Sequence, residues 1–279
     1  MKPIIVLVAA LLVAAAVLLS MPMVAEALLP LIGGADGPSA AAAEVVYSGA
    51  IFLVLAAAGI IGARLSGGRA LALGDAPGKQ VALGLALGLG GLAAAVLHSK
   101  LAGSLSTAPV GVGLGSLFLA GTLLVFVQVG AEEIFFRGWL QPVLVGAWGG
   151  VIGIGVSAAA FAALHLVGGA MQPLSLLNLF VGGILFGILA RSGGGIAAAL
   201  AAHFAWNWSE ALIFGLIPNP GEGSFGTIVN LELAGPHWWG GAAEGLNSSA
   251  GMTAALLALV LVAIAAGRRA PNRPYPAAG

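Results

Sequence analysis

The sequence has no cysteine. That excludes disulfides and thiolate ligands and leaves any metal to His, Glu, Asp or Asn. Charge is almost as scarce. Only 7% of the 279 residues are Asp, Glu, Lys or Arg, against about 25% in a soluble domain. With 60% hydrophobic residues and a mean hydropathy of +1.08, the chain cannot cover a water-facing surface, so lipid must be its solvent. Ten basic residues balance ten acidic ones, which leaves no basic field for nucleic acid. Aspartate occurs only at Asp36 and Asp75, both in predicted loops, so a paired-aspartate intramembrane protease fits poorly. A G-x-S-x-G serine site is missing, and Ser157 reads as packing. The aromatic alternation of an outer-membrane barrel is also absent, so the spans are expected to be helices, which satisfy their own backbone.

What is present is long apolar runs rich in small residues, including 45 Gly, which suit close helix packing in a bilayer. A span needs about 20 apolar residues. The reading is an all-α polytopic transmembrane helix bundle of about eight spans. The first covers Ile4–Leu19 and runs on towards Val24. It is long for a signal peptide and is read as retained, although Lys2 before it and Ala25-Glu26-Ala27 after it also outline a secretory signal. The others are placed at Val45–Leu65, Val81–Leu97, a fourth beginning within Val110–Leu119, Val151–Val167, Leu174–Ala190, Ile196–Ile217 and Met252–Ala266. With the N-terminus inside, Lys2, Arg64, Arg69, Lys79, Arg137, Arg191, Arg268, Arg269 and Arg273 fall on the cytoplasmic side and only Lys100 outside. This positive-inside bias implies an inner (cytoplasmic) membrane protein with a cytoplasmic C-terminus. The expected organisation is residues 1–105 as spans without a motif, 106–267 as the motif-bearing bundle with a long external loop at 218–251, and 268–279 as a polar tail. In the loop, His237-Trp238-Trp239 is expected to lie at the membrane interface.

Charge concentrates at Ala131–Pro142, A-E-E-I-F-F-R-G-W-L-Q-P. A charge at membrane depth costs about 2.5–3.5 kcal/mol on insertion scales, so Glu132, Glu133 and Arg137 need compensation. The i,i+4 spacing lets Glu133 pair with Arg137. Glu132 points about 100° away, towards another neighbour, and is the better candidate for chemistry. A one-residue rotation of the helix would exchange the two. Farther on, Phe161-Ala162-Ala163-Leu164-His165 puts an imidazole in an apolar span. The midpoint between Glu132 and His165 falls in Gly146-Ala147-Trp148-Gly149-Gly150. A helical hairpin folded there would bring both residues to one depth, roughly 24 Å from the tip, provided that the fourth helix continues past the kink expected at Pro142. Finally, His203 and Asn207 share a helix face at i,i+4, with Glu210 farther along it. His98, beside Lys100 at a turn, and His237, in the long loop, are read as non-catalytic.

The ordered triple E-E-x-x-x-R (Glu132–Arg137), F-x-x-x-H (Phe161–His165) and H-x-x-x-N (His203–Asn207) resembles the CAAX-protease and bacteriocin-processing family of intramembrane proteases, also called type II CAAX prenyl endopeptidases. The resemblance runs from about Val110 to Asn207. It implies that Glu132 and His165 activate a water, and that His203 and Asn207 line the same site, where they stabilise the oxyanion or hold a metal.

The chemistry is coherent without that resemblance. Peptide hydrolysis needs an activated water, a base and oxyanion stabilisation. Glu132, Glu133, His165, His203 and Asn207 supply such groups, with Arg137 as a structural ion-pair partner. Glu132, His165 and His203 would equally make a His₂Glu set suited to zinc; the sequence leaves both routes open. The expected substrate is a membrane-embedded or lipidated peptide in the bilayer. Two other readings stay open. One is a non-catalytic membrane partner or immunity-type protein that keeps the cluster for packing. The other is a proton-coupled transporter, disfavoured because no paired discontinuous helices are visible.

Overall fold

The structure, a computed structural model, describes residues 2–32, 37–110, 115–216, 222–240 and 244–267. Asp36, Pro218, Pro220 and the tail from Arg268 lie outside these. Eight α-helices follow in order: α1 Pro3–Leu28, α2 Ala40–Leu65, α3 Pro77–Leu101, α4 Ser116–Phe135, α5 Gln141–Val167, α6 Pro173–Gly193, α7 Ala197–Trp208 and α8 Ala250–Gly267. Their outward faces are apolar; Val151, Leu101 and Leu12 are 90, 80 and 66% exposed. Such surfaces belong in lipid, and the chain is a multi-pass membrane protein with a helical-bundle fold.

Six helical stretches among the described residues are long and apolar enough to cross a membrane, beside the eight expected spans. Two physical features account for the difference. The stretch Ser116–Val167 counts once among the six, but it holds two helical arms that fold back on each other at Gly149. The seventh expected span, placed at Ile196–Ile217, is a short α7 of 12 residues that widens into a π turn at Ser209–Ile213.

The reversal at Gly149 lies within the expected Gly146–Gly150 turn. Its φ of 78° and ψ of 169° fall in a region open essentially to glycine alone. Beyond it, Gly153 packs against the backbone of Leu144 and Val145, so closely that a Cβ there would sit 2.5 Å from the Val145 nitrogen. Phe136 and Phe161, equidistant from the Trp148–Gly149 junction, meet with ring centroids 5.1 Å apart. Gly149→Ala is therefore expected to destabilise the protein by about 1–3 kcal/mol, seen as a lower thermal unfolding midpoint in detergent.

The fourth helix does continue past Pro142, but not through a simple proline kink. Phe136–Leu140 forms a π turn, entirely buried. A proline ring collides with the carbonyl four residues earlier and offers it no N–H. Widening the turn before Pro142 relieves that conflict and puts the irregularity directly after the two glutamates.

Helices α3 and α7 pack most closely. Gly84 and Gly88 of α3 lie on the carbonyls of Ala198 and Ala202, where a Cβ would come within 2.4 and 2.3 Å. This G-x-x-x-G face lets the two backbones touch and holds α7, which carries His203, deep in the bundle. The core around it includes Leu92, Leu185, Leu189, Trp206 and Met252. On the other side, Phe135, Leu140, Leu144 and Phe161 pack with Val6, Ala10 and Leu55 of α1 and α2.

The long loop is more ordered than its composition suggests. Leu231–Leu233 (β2) pairs antiparallel with Leu105–Thr107 (β1), in the register Leu105 to Leu233. Nearby, Trp238 is 64% exposed, and Trp239 lies 5.0 Å from the His98 ring. Glu244 reaches back to the start of α6, accepting from the amides of Met171 and Gln172 at 2.7 and 2.8 Å. Burial pushes the Glu244 carboxyl up, but the neighbouring Ser175 hydroxyl and these amides outweigh it and hold it below the usual carboxylate range. A carboxylate depressed in the folded state stabilises the fold above its unfolded pKa, and that contribution is lost as pH falls through the folded value. Glu244→Gln is expected to cost about 1 kcal/mol at neutral pH, the usual net worth of a hydrogen bond. The gap between variant and wild-type unfolding midpoints should close as pH falls below the ordinary glutamate range.

Candidate active site

Three separated segments of sequence supply the polar groups of one buried cluster. Glu133, at the end of α4, is fully buried and accepts from Arg137 Nη1 at 2.8 Å. The i,i+4 pairing therefore forms, although the π turn begins between the two residues. Arg137 is 2% exposed and donates its Nη2 to the Gly183 carbonyl of α6 at 3.2 Å. One helical turn along, Gln141 donates to the Gly187 carbonyl at 3.0 Å. The guanidinium also lies 4.9, 5.4 and 5.7 Å from the ring centres of Phe161, Phe186 and Phe136. Aromatic faces favour a cation, so ion pair, carbonyl and rings together offset its removal from water.

His203, from the middle of α7, is 5% exposed. Its Nδ1 lies 2.9 Å from the same Glu133 oxygen that meets Arg137. A carboxylate there can only accept, so Nδ1 carries the hydrogen and donates. In the neutral ring this leaves the lone pair on Nε2. Nε2 faces Glu132 Oε2 at 3.7 Å and the Asn207 amide nitrogen at 3.4 Å. Phe186 stacks on the imidazole, with centroids 4.5 Å apart and planes 17° from parallel, and so locks the ring.

The two glutamates are thus divided. Glu133 is spent on Arg137 and His203. The Glu132 side chain is 17% exposed, and its Oε2 stands 3.7 Å from His203 Nε2, beyond hydrogen-bond range. Two acceptors 3.7 Å apart do not bond to each other. A water beside them could donate one hydrogen to each.

His165 reaches this cluster less directly. It stands one turn beyond Phe161 on the returning arm of the hairpin, as Glu132 stands one turn before Phe136 on the outgoing arm. Its Nδ1 is 2.8 Å from the Phe161 carbonyl. The Phe161 ring lies 4.5 Å from the His165 ring and 6.1 Å from that of His203. Among the described residues no hydrogen bond joins Glu132 to His165. Nor does any group of three or more His, Asp or Glu side chains gather to hold a metal ion. Nδ1 of each of the two imidazoles is engaged in these contacts. Glu210 is buried in the π turn after α7. His98 and His237 lie by the long loop, away from the cluster.

With this geometry in view, the family comparison is specific. The family model described as type II CAAX prenyl endopeptidase Rce1-like matches residues 114–209. Over that segment the chain is similar to this family. Its bounds contain Glu132, Glu133, Arg137, His165, His203 and Asn207, and also the hairpin and α6 that hold them. No curated protein and no solved structure matches the chain. This similarity supports a membrane protease. Sequence reasoning alone missed Phe186 and the Gly183 carbonyl as parts of the cluster. A phenylalanine in an apolar span and a backbone oxygen carry no signal until the helices are packed.

Proposed function

We propose that the protein is an intramembrane endopeptidase that hydrolyses a lipidated or membrane-embedded peptide through a water activated by Glu132 and His203. The observation that carries this reading is the 3.7 Å gap between Glu132 Oε2 and His203 Nε2. It leaves two acceptors for one water, beside a carboxamide donor. The water gives one hydrogen bond to Glu132 and one to His203, which aims its lone pair at the scissile carbonyl. Glu132 takes the water proton as the C–O bond forms. Negative charge then develops on the carbonyl oxygen, and the Asn207 amide donates to it. Collapse of the tetrahedral intermediate breaks the C–N bond, and Glu132 returns its proton to the departing amine. Glu133 and Arg137 act one step back: they hold the His203 tautomer that keeps Nε2 an acceptor. His165, at the depth of Glu132 on the facing arm, forms the neighbouring wall of the site.

The test is cleavage of a prenylated C-terminal peptide by purified protein reconstituted in liposomes, read by mass spectrometry of the products. Wild type is expected to cleave. Asn207→Ala is expected to retain about 0.1–1% of the rate, the usual cost of removing one oxyanion donor. Because the proposed proton path runs through side chains, activity should survive exhaustive chelation; loss on chelation with rescue by zinc would replace this mechanism with a metal one. Absence of cleavage for every lipidated and transmembrane peptide tried, with wild-type protein correctly folded, would favour a non-catalytic membrane partner.

A further inference from the structure

At one end of the bundle, a cavity of about 430 Å³ opens between the end of α2, the hairpin tip and the α6–α7 turn. It is not the reaction site, since Glu132, His203 and Asn207 are not among its lining residues. Its walls carry Arg69, Arg137 and Arg191 and no acidic side chain. Eight of its nineteen lining residues are Gly, so much of the remaining surface is bare backbone. Arg137 forms the floor shared with the candidate active site. Its two terminal nitrogens serve Glu133 and Gly183, but its Nε is buried without a hydrogen-bond partner. A buried donor left unmade costs about 1–3 kcal/mol or more.

The two other arginines are held in place. The loop bearing Arg69 is strapped to the α6–α7 turn by Asp75 N to Gly193 O at 3.0 Å and Ile196 N to Ala72 O at 2.9 Å. The Arg191 guanidinium packs against Gly150 at the hairpin tip, where a Cβ would come within 2.7 Å of it.

We propose that this cavity binds a phosphate-class anion, the headgroup of an anionic phospholipid. Guanidinium forks match phosphate oxygens in geometry and charge. A basic pocket between helix ends at a membrane face is the setting in which such headgroups bind. The volume exceeds that of a bare phosphate and suits one carrying its glycerol. The proposal is independent of peptide hydrolysis, and so is its test.

The test is calorimetric titration of purified full-length protein with short-chain phosphatidylglycerol below its micelle concentration, and separately with inorganic phosphate. Phosphatidylglycerol is expected to bind saturably. Arg69→Gln, at an exposed loop position, and Arg69→Gln/Arg191→Gln should weaken it, the double variant by about tenfold or more. Gly150→Ala should weaken it without removing any charge, by displacing the Arg191 guanidinium. Phosphate competing only weakly identifies the headgroup as the occupant. Phosphate binding as tightly as the lipid keeps the anion site and makes free phosphate its occupant. The proposal is overturned if neither probe binds, or if all three variants, with unfolding midpoints near wild type, bind as wild type does.

Discussion

Glu132→Gln is expected to slow peptide hydrolysis by about 10²–10⁴-fold while leaving the thermal unfolding midpoint close to wild type. Glutamine keeps the shape of the side chain but cannot take a proton from water. The small stability effect follows from where Glu132 sits. Its side chain is 17% exposed and its Oε2 lies 3.7 Å from His203 Nε2, so removing the charge breaks no hydrogen bond to that ring. The measurement is single-turnover cleavage of the reconstituted variant beside an unfolding curve of the same preparation. His165→Ala provides the contrast. If His165 only walls the site, its loss should raise KM more than it lowers kcat; if it shares the activation of water, kcat should fall as it does for Glu132→Gln. An unimpaired Glu132→Gln variant would remove Glu132 from the chemistry and leave the ion cluster as packing.

The parts of this site that could be read from sequence are those set by local periodicity. The pairing of Glu133 with Arg137 follows from i,i+4 geometry. The hairpin follows from glycines placed midway between two polar residues, because only glycine adopts the backbone that Gly149 adopts. The choice between the glutamates could not be read that way, since rotating a helix by one residue exchanges them. What separates their surroundings is a contact across 70 residues: the Nδ1 of His203 on the same Glu133 oxygen that holds Arg137. That contact depends on α3 and α7 approaching through Gly84 and Gly88, a tertiary fact with no local trace in the His203 segment. The π turns at Phe136–Leu140 and Ser209–Ile213 were illegible for a related reason. Each offsets the helix phase beside a site residue, and an apolar run hides phase. The β1–β2 ribbon is three residues long on each strand, too short for alternation to appear.

The charge cluster itself is best tested by a double-mutant cycle on Glu133 and Arg137. Glu133→Gln leaves the Arg137 guanidinium buried with one carbonyl and three aromatic faces. Arg137→Met leaves the Glu133 carboxylate buried with His203 alone. Each single substitution is expected to destabilise by about 3–5 kcal/mol, the usual cost of orphaning one partner of a buried pair. The double substitution should cost far less than the sum, because it strands neither charge; replacing a whole buried pair by apolar groups is often close to neutral. Unfolding midpoints of the four proteins in one detergent measure the coupling. Activity then separates structure from mechanism. If the pair serves packing only, the double variant should regain hydrolysis as it regains stability. On the mechanism proposed here it should stay slow, since a carboxamide at position 133 holds the Nδ1–H of His203 less firmly than a carboxylate and no longer commits Nε2 to accept from water. A stable and fully active double variant would confine Glu133 and Arg137 to the fold.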